Sequence, residues 1–415
     1  MVKAAMSMGL SSMPSEAVTI MVVIGTRPES IKLAPVIEAI RSSHWAKASV
    51  VLTGQHSDLI DPLIQSFGLE VHHHLRVMQP NQSLASVTAK ILEKLDQLLL
   101  AQRPAAIIGQ GDTASVLAGS MASFFRQIPF AHVEAGLRTG DLLAPFPEEL
   151  NRVLTSKMTT WHFAPTETAK ANLVAEAVPE SRIWVTGNTV IDALKLCLSR
   201  QAGLSNDKLG TVVPNAARFT AHPSEALDHW HAMLASSRPM VLITAHRREN
   251  FGQPLRSIYR AILQLASRHQ DHDFVYPVHP NPQVRDVAFE MLAGHSNIHL
   301  MPPADYPIFC QLMLKARLIL SDSGGVQEEA PALGKPVLVL RDETERPEAI
   351  ALGCNRLVGT DTQNIVEQVN VLFSQPEQYR AMANAGSPYG DGSAAQRIEA
   401  VLRESILGQA SQYHL

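Results

Sequence analysis

Cysteine is scarce in this chain of 415 residues, which contains only three. Cys197, Cys310 and Cys354 are scattered and show no paired spacing. Disulfide frameworks and zinc knuckles both need closely patterned cysteines, so the sequence argues against these two classes. We expect three reduced thiols and therefore a cytoplasmic protein.

The chain also lacks an excess of positive charge and any long apolar run. Its 35 basic side chains face 39 acidic ones, whereas a nucleic-acid-binding protein normally carries a basic excess. No apolar run reaches membrane-spanning length, and residues 1–16 contain no continuous apolar core of the kind found in signal peptides. We expect no nucleic-acid partner, no membrane insertion and a disordered tail over residues 1–17.

The chain does contain short apolar runs that alternate with longer amphipathic stretches. This pattern is typical of parallel strands connected by helices, and the chain is longer than one core normally supports. The sequence therefore predicts an α/β protein with two Rossmann-like, doubly wound domains and a ligand cleft between them, at the carboxyl ends of the strands. The polar residues 201–237 predict an inserted or mobile excursion, and we place the hinge near residues 186–188.

Nine runs are predicted as strands, four in the first sheet and five in the second. They are Val18 to Ile24, Ala48 to Leu52, Ala105 to Ile108, Pro129 to Val133, Met240 to Thr244, Phe274 to Val278, Ile298 to Leu300, Leu318 to Leu320 and Val337 to Leu340.

Residues 322–331 form the most informative stretch, Asp-Ser-Gly-Gly-Val-Gln-Glu-Glu-Ala-Pro. It follows an apolar run and is interpreted as a strand end, a glycine turn and a helix start. The backbone N–H groups of Ser323, Gly324 and Gly325 would then point outward at the positive end of a helix dipole, where a diphosphate binds. Two carboxylates one turn later, including Glu329, are within reach of a ribose. The stretch predicts a nucleotide-sugar site.

Three separated carboxylates follow strands of the first predicted domain. Asp112 comes after the third strand, Glu134 ends the fourth, and Glu148 follows shortly after. A lone carboxylate is usually solvated at the surface. Three such groups facing a diphosphate motif favour acid/base chemistry on a bound sugar.

Basic side chains occupy the other strand ends. Arg27 and Lys32 follow the first strand, His246 and His279 follow two strands of the second series, and Arg346 comes after the last. Guanidinium, ammonium and imidazolium groups bind phosphate by charge-assisted hydrogen bonds, although each residue alone is more often structural.

Two other signals are weaker. Residues 109–114 match the glycine fingerprint of NAD-binding enzymes, with Glu134 about 20 residues on. The match follows a middle strand, and Asp112 would put a negative charge against the pyrophosphate. The run His72-His73-His74 raises the question of a metal, but adjacent side chains of an extended segment do not converge on one ion. We interpret that run as a polar loop.

Ten motifs together resemble the non-hydrolysing UDP-N-acetylglucosamine 2-epimerases of bacteria, in the same order and over nearly the whole chain. They are GTRPE with the following Lys32, GQGDT, HVEAGLRTGD, FPEELNR, TGNTVIDAL, TAHRREN, HPNP, DSGGVQEEAP, TERPEA and SPYGDGSA.

The resemblance implies a glycosyltransferase-B-like fold with the active site in the interdomain cleft. It implies domains at residues 18–186 and 187–393, with a C-terminal helix at 394–412 that crosses back onto the first. The family interconverts UDP-N-acetylglucosamine and UDP-N-acetylmannosamine for surface or extracellular polysaccharide synthesis, without cofactor or metal. Its route is elimination of UDP to 2-acetamidoglucal and readdition, and relatives suggest a homodimer.

The resemblance also implies residue roles. Asp112, Glu134 and Glu148 become the acid/base and cation-stabilising carboxylates, and His246 lies against the leaving phosphate. The positions that resemble contacts to UDP or sugar are Arg27, Lys32, Arg152, His279, Ser323, Gly324, Gly325, Glu329 and Arg346.

Some alternatives stay open. Some members bind a second substrate molecule as activator through a Gln-x-x-Gln pair and an arginine, where this chain has Gln55-His56-Ser57-Asp58 and Asn81. The same cleft would accept a UDP-2,3-diacetamido uronic acid as the epimerised sugar. A glycosyltransferase would share the fold and the donor, and a hydrolysing relative would release free N-acetylmannosamine.

Overall fold

The computed structural model describes residues 17–54, 57–79, 82–202 and 223–412. Residues 1–16 of the predicted tail and 203–222 of the excursion lie outside this part of the chain. So do Gln55, His56 and Asn81 of the activator motif.

Two parallel β-sheets organise the described chain. The first consists of β1 (Val18–Ile24), β2 (Ala46–Leu52), β3 (His73–His74), β4 (Ala106–Gln110), β5 (Phe130–Val133), β6 (Trp161–Ala164) and β7 (Ile183–Val185). The second consists of β8 (Met240–Thr244), β9 (Asp273–Pro277), β10 (Ile298–Met301), β11 (Leu318–Ser321), β12 (Val337–Val339) and β13 (Asn355–Leu357).

Helices connect these strands. Those of the first half are α1 (Arg27–Arg41), α2 (Ser57–Ser66), α3 (Leu84–Gln102), α4 (Ala114–Phe125), α5 (Glu148–Met158), α6 (Glu167–Ala175) and α7 (Thr189–Gln201). Those of the second half are α8 (Pro223–Ala235), α9 (Gln253–Arg268), α10 (Pro282–Leu292), α11 (Tyr306–Lys315), α12 (Gly324–Ala332), α13 (Pro347–Leu352), α14 (Thr362–Ser374), α15 (Pro376–Ala383) and α16 (Ala394–Gln412).

Both sheets have the doubly wound strand order that the sequence predicts. The first runs β3-β2-β1-β4-β5-β6-β7 and the second β10-β9-β8-β11-β12-β13. The order reverses between β1 and β4 and again between β8 and β11, and ligands of such sheets bind outside the carboxyl ends of strands at these points. The turns after these four strands carry GTRPE, GQGDT, TAHRREN and DSGG, so four of the motifs meet at the two switch points.

All nine predicted strands are confirmed to within two residues at each end, but four were missed. β3, β6, β7 and β13 have two to four residues, and histidine, asparagine or arginine interrupts the apolar pattern in β3, β6 and β13. The loop predicted at the histidine run is wrong, because His73 and His74 pair in parallel with Val51 and Leu52 as an edge strand.

The prediction of an inserted or mobile excursion is also wrong for the second half of residues 201–237. Residues 223–235 form α8, and Trp230 on this helix is fully buried in the core that includes Met240 of β8. Leu227, Met233 and Leu234 are partly buried against the same core, so one apolar face anchors this helix. Leu227, Trp230 and Leu234 have the spacing of one helix face, so the apolar signal was present in the sequence and was overlooked among polar neighbours.

Two helices connect the halves of the chain. α7 packs on α1 of the first half and on α11 and α12 of the second, and α16 packs on α1 and α7. The indole Nε1 of Trp45 donates a hydrogen bond of 2.6 Å to Glu399 of α16. We propose on these contacts that residues 18–186 with α16 form one domain and residues 187–393 the other. Among the described helices, none has both the length and the apolarity to cross a bilayer.

Gly136 lies in the turn that follows β5, against α6. Its φ is +91°, and a Cβ at this position would lie 2.2 Å from the carbonyl oxygen of Ala169. We expect Gly136→Ala to lower the free energy of unfolding by about 3 kcal/mol or more, because left-handed strain and overlap with backbone add. Urea unfolding measures this change.

Gly140→Ala is the matched control. Gly140 has a φ of +82°, but a Cβ there would meet no atom within 4 Å. Gly140→Ala should therefore lower the free energy of unfolding by about 1 kcal/mol, the cost of the left-handed backbone alone. Equal losses in the two variants would contradict the packing of this turn on α6.

Candidate active site

A cavity of about 330 Å³ lies between the two sheets at their carboxyl edges. The first half contributes the turns after β1, β4, β5 and β6 and the start of α5. The second half contributes Arg247, Glu328 and residues around α13. The predicted residues that line this cavity are Lys32, Asp112, Glu134, Glu148, Arg152 and Arg346.

The turn after β4 places Asp112 in this cavity. Gly111 adopts a φ of +80°, and its carbonyl accepts a 2.7 Å hydrogen bond from Nε2 of His132 on β5. Burial lowers the pKa of His132 to about 3, so the imidazole is neutral and acts as a donor through Nε2–H. Asn151 donates to the carbonyl of Asp112 at 2.8 Å. Neighbouring strand and helix therefore fix the backbone that carries the carboxylate.

Arg152 of α5 is the ionic partner of Asp112. Its Nη2 lies 2.9 Å from Oδ2 of Asp112. Burial nevertheless raises the pKa of Asp112 to about 6, since the nearby charges of Glu134 and Glu148 offset the effect of Arg152. The carboxyl group therefore titrates close to neutral pH, as acid/base chemistry requires.

The adjacent residues Glu148 and Glu149 have different surroundings. Glu148 begins α5 and lines the cavity. Glu149 is 1% exposed, and its Oε1 accepts hydrogen bonds from the N–H groups of Thr139 at 3.0 Å and Gly140 at 3.1 Å. Glu149 therefore fixes the loop before α5, which leaves Glu148 as the carboxylate that faces a ligand.

A chain of four charged side chains crosses the cleft, and we call it the cleft ion chain. Lys32 of α1 lies 2.5 Å from Glu134, after β5, and 3.4 Å from Glu328 of α12. Nε of Arg346, before α13, donates to Glu328 at 2.8 Å. Burial alone would favour the neutral amine, but Glu134 and Glu328 raise the pKa of Lys32 well above its ordinary value. Both halves of the molecule thus contribute to one buried electrostatic network.

The helix start that the sequence predicts is present at α12. Ser323 precedes it, and the guanidinium of Arg346 packs on Gly324 so closely that a Cβ there would lie 2.7 Å from its Cζ. The N–H of Ser323 does not point outward as predicted; it donates to Oγ of Ser321 at 3.0 Å. Gly324 and Gly325 remain at the helix start beside Arg346, where a positive dipole end and a guanidinium favour an anion together.

The two carboxylates of α12, which the sequence predicts near a ribose, have different protein partners. Glu328 belongs to the cleft ion chain. Glu329 accepts a 2.5 Å hydrogen bond from the hydroxyl of Tyr306, and burial raises its pKa to about 7. Arg27, the first residue of α1, has Glu329 and Asp305 as charged neighbours, and its own pKa is lowered by burial. Arg27 and Glu329 therefore lie beside each other but outside the cavity lining.

His246 and His279 form a separate group outside the cavity lining. Their rings stack with centroids 5.3 Å apart, and Nδ1 of His246 lies 3.6 Å from the fully buried Asp322. Burial lowers the pKa of His246, so the free protein favours a neutral imidazole over the positive phosphate partner that the sequence predicts. The backbone N–H groups of His246 and Arg247 both donate to Asp322 at 2.8 Å, which joins the turns after β8 and β11.

Sequence reasoning missed several cavity residues. Tyr389 lies inside a motif that was quoted only for its neighbours, and Arg138 lines the cavity while pairing with Glu176 at 2.5 Å. Glu29 is buried against the N–H of Gly25, and burial raises its pKa to about 7. The only available signal was their position directly after predicted strands or within the motifs.

A possible metal-ligand group lies at the opposite edge of the second sheet. Ligand atoms of His269, Asp271 and His272, between α9 and β9, are within 4.8 Å of one another. His272 already pairs with Asp271 at 2.9 Å, and the guanidinium of Arg317 lies 3.5 Å from its Nε2. A neighbouring positive charge opposes cation binding.

The chain resembles known proteins over most of its length. A profile of the family described as UDP-N-acetylglucosamine 2-epimerase matches residues 38–403. The UDP-N-acetylglucosamine 2-epimerase of Escherichia coli K12 is 45% identical over 386 residues, which cover 93% of this chain and 98% of the relative.

Solved structures agree with this similarity. The crystal structure of a UDP-GlcNAc 2-epimerase from Neisseria meningitidis, bound to UDP-GlcNAc, has 43% identity and a TM-score of 0.80; the match covers 93% of this chain and all of that one. A putative UDP-N-acetylglucosamine 2-epimerase from Listeria monocytogenes has 38% identity and a TM-score of 0.82, over 94% and 97% of the two chains.

The raised pKa of Asp112 has a consequence for stability. The folded protein binds this proton more tightly than an unfolded chain, where the pKa is 3.8, so stability is lost as pH rises from about 4 to about 6 and stays lost above. Asp112→Asn removes the buried charge and should raise the urea midpoint relative to the original protein at pH 8. The difference should vanish at pH 4.

Asp286→Asn serves as the control, because Asp286 is exposed on α10 and pairs with Arg285. Asp286→Asn should not raise the urea midpoint at pH 8. A lower urea midpoint for Asp112→Asn at pH 8 would contradict the conclusion that the ionised Asp112 carboxylate destabilises the folded protein.

Proposed function

The chain belongs to the UDP-N-acetylglucosamine 2-epimerase family, and we propose that it interconverts UDP-N-acetylglucosamine and UDP-N-acetylmannosamine by inverting C2 of the sugar. One observation carries this proposal. Three carboxylates of the first half and an arginine at a helix start of the second half line one cavity. Acid/base groups and a diphosphate-binding feature therefore face the same ligand.

The chemistry of the sugar requires the leaving group to drive the reaction. The C2 hydrogen is not next to a carbonyl, so simple deprotonation would give no stabilised enolate. In an elimination, the C2–H electron pair forms a C1–C2 double bond and the C1–O pair departs with UDP. UDP then adds back to the 2-acetamidoglucal while a proton reaches the other face of C2.

The second half is suited to hold the departing diphosphate. Arg346 lies on Gly324 at the start of α12, so a guanidinium and a helix dipole converge where negative charge grows. Preorganised positive groups of this kind stabilise a transition state without reorganisation. His246 and His279 follow neighbouring strands of the same sheet, and an arriving phosphate would favour the protonated form of His246.

The first half supplies the proton chemistry. Removal and return of a proton on opposite faces of C2 need two groups or one mobile group. Asp112, Glu134 and Glu148 line one cavity, and Asp112 titrates near neutral pH. We propose that these three share the acid and base roles and the stabilisation of positive charge at C1, with Glu134 held in position by its contact with Lys32.

The intermediate must be kept from water. Asn188, which begins the connection into α7, lines the cavity, and Thr166 of the first half donates to Glu348 of the second at 3.2 Å. We propose that the halves close over the substrate before elimination, because an open cleft would release glucal and UDP.

Solvent isotope exchange tests this function. The protein is incubated with UDP-N-acetylglucosamine in deuterated water and followed by NMR. We expect deuterium at C2 of both UDP-linked epimers, since each turnover exchanges the C2 proton. Epimers without deuterium would contradict elimination and readdition, and free N-acetylmannosamine would indicate hydrolysis.

Amide variants of the three carboxylates refine the same test. Asp112→Asn, Glu134→Gln and Glu148→Gln should each lower turnover about 10²–10⁴-fold while affinity for UDP changes little. Glu290→Gln, in the exposed pair that joins Arg256 of α9 to Glu290 of α10, should retain full turnover. Near-normal turnover in all three site variants would overturn the assignment.

We further propose that the protein is a homodimer joined through α3, α4 and α5. These adjacent helices expose large apolar side chains, among them Leu100, Phe124 and Phe125, each about 60% exposed. Exposed apolar clusters mark interaction surfaces. Replacing Phe124 and Phe125 by serine should give monomers in sedimentation velocity, whereas Leu314→Ser, on α11, should leave the dimer intact.

The protein is proposed to act in the cytoplasm on precursors of surface or extracellular polysaccharide. Its three cysteines are all buried and unpaired, which suits a reducing compartment. Cell fractionation would check this location.

A further inference from the structure

Tyr389 is a buried cavity residue for which the preceding argument has no role. It lies in the segment before α16, is 3% exposed and lines the active-site cavity. Its hydroxyl proton has no acceptor among the described residues, and the one backbone donor that acts weakly on its oxygen is the N–H of Ala349. Buried hydroxyl groups nearly always have a partner, so this one requires an explanation.

Both the backbone and the ring of Tyr389 are held in place, the ring by packing against Val190, Ile191, Ala349 and Cys354. Its carbonyl accepts a 2.7 Å hydrogen bond from the N–H of Asn188. Gly187 and Gly390 pack so closely that a Cβ on Gly187 would lie 3.2 Å from Cα of Gly390. The hydroxyl is thus fixed at the junction between the halves.

The charged groups around the hydroxyl show what it can do. Burial, with the charges of Glu348 and Glu328, raises the pKa of Tyr389 far above its ordinary value, so the phenol keeps its proton. Glu328 already accepts from Arg346 and Asn188, and Glu348 accepts from Thr166. The phenol is therefore a fixed hydrogen-bond donor beside two carboxylates, Glu328 and Glu348, that accept hydrogen bonds from other residues.

We propose that the Tyr389 hydroxyl donates a hydrogen bond to a phosphate oxygen of the bound UDP-sugar. This inference rests on the proposed function of the cavity. The guanidinium of Arg346 packs on Gly324 at the start of α12 and is close enough to influence the Tyr389 hydroxyl electrostatically. The proposed diphosphate position is therefore next to this hydroxyl. Phosphate oxygens gain negative charge as the C1–O bond breaks, so a neutral donor fixed there assists departure as well as binding.

Tyr389→Phe removes the hydroxyl and keeps the ring. We expect affinity for UDP, measured by calorimetry, to fall about tenfold or more, as hydrogen bonds to charged groups do. Turnover should fall by a similar factor. The unfolding temperature of the ligand-free variant should equal or exceed that of the original protein, because the lost hydroxyl had no protein partner.

Tyr379→Phe is the matched control. Its hydroxyl donates to the carbonyl of Arg317 at 2.8 Å, outside the cavity lining. This variant should be slightly less stable and bind UDP with unchanged affinity.

Three results would overturn the proposal. Unchanged UDP affinity in Tyr389→Phe would remove the phosphate contact, and weaker binding of UDP-sugar alone would assign the hydroxyl to the sugar. A lower unfolding temperature without ligand would reveal a structural partner. Failure of the original protein to exchange deuterium would reject epimerisation instead, while UDP calorimetry would still report on Tyr389.

Discussion

The contact on which the site depends is the buried pairing of Lys32 with Glu134 and Glu328. Lys32 comes from α1, Glu134 from the end of β5 and Glu328 from α12, so the pairing brings three distant segments to one point. A buried charge is tolerated only when it is paired, and removal of one partner leaves the other uncompensated. The position of Glu134 and the approach of the two halves are therefore coupled: a displacement of α12 would expose or unpair the ammonium that contacts Glu134.

The doubly wound topology explains why these groups meet at all. In a parallel sheet every strand ends at the same edge, and at a switch point the flanking helices diverge and leave a crevice. The turns after β1 and β4 deliver Lys32 and Asp112 to one side, while β11 delivers α12 to the other. The rest is local support: His132 fixes Gly111, Glu149 fixes the loop before α5, and Asp322 joins two turns of the second sheet.

Sequence reasoning located the carboxyl ends of most strands well and the contacts within the cleft poorly. Apolar runs record burial on both faces of a strand, so central strands such as β1 were predicted while the edge strands β3 and β7 were not. Motifs identified Asp112 and Arg346. They could not distinguish Glu328 from its neighbour Glu329, because one residue along a helix turns a side chain by about 100° and only packing decides which one faces Lys32. The hydroxyl of Tyr389 was missed for the same reason, since its isolation is a property of three-dimensional neighbours.

Charge balance in the cleft explains how the ligand-free site can be stable and still bind a diphosphate. The cleft ion chain contains two cations and two carboxylates, so it is neutral before ligand arrives. Arg346 meets Glu328 through Nε, and its Nη1 is 3.4 Å from the half-exposed Glu345. An ion pair that is this exposed to solvent contributes little to stability. We therefore propose that a diphosphate displaces Glu345 from Arg346 without disturbing Glu328, which frees positive charge for binding while the buried pairing with Glu134 is preserved.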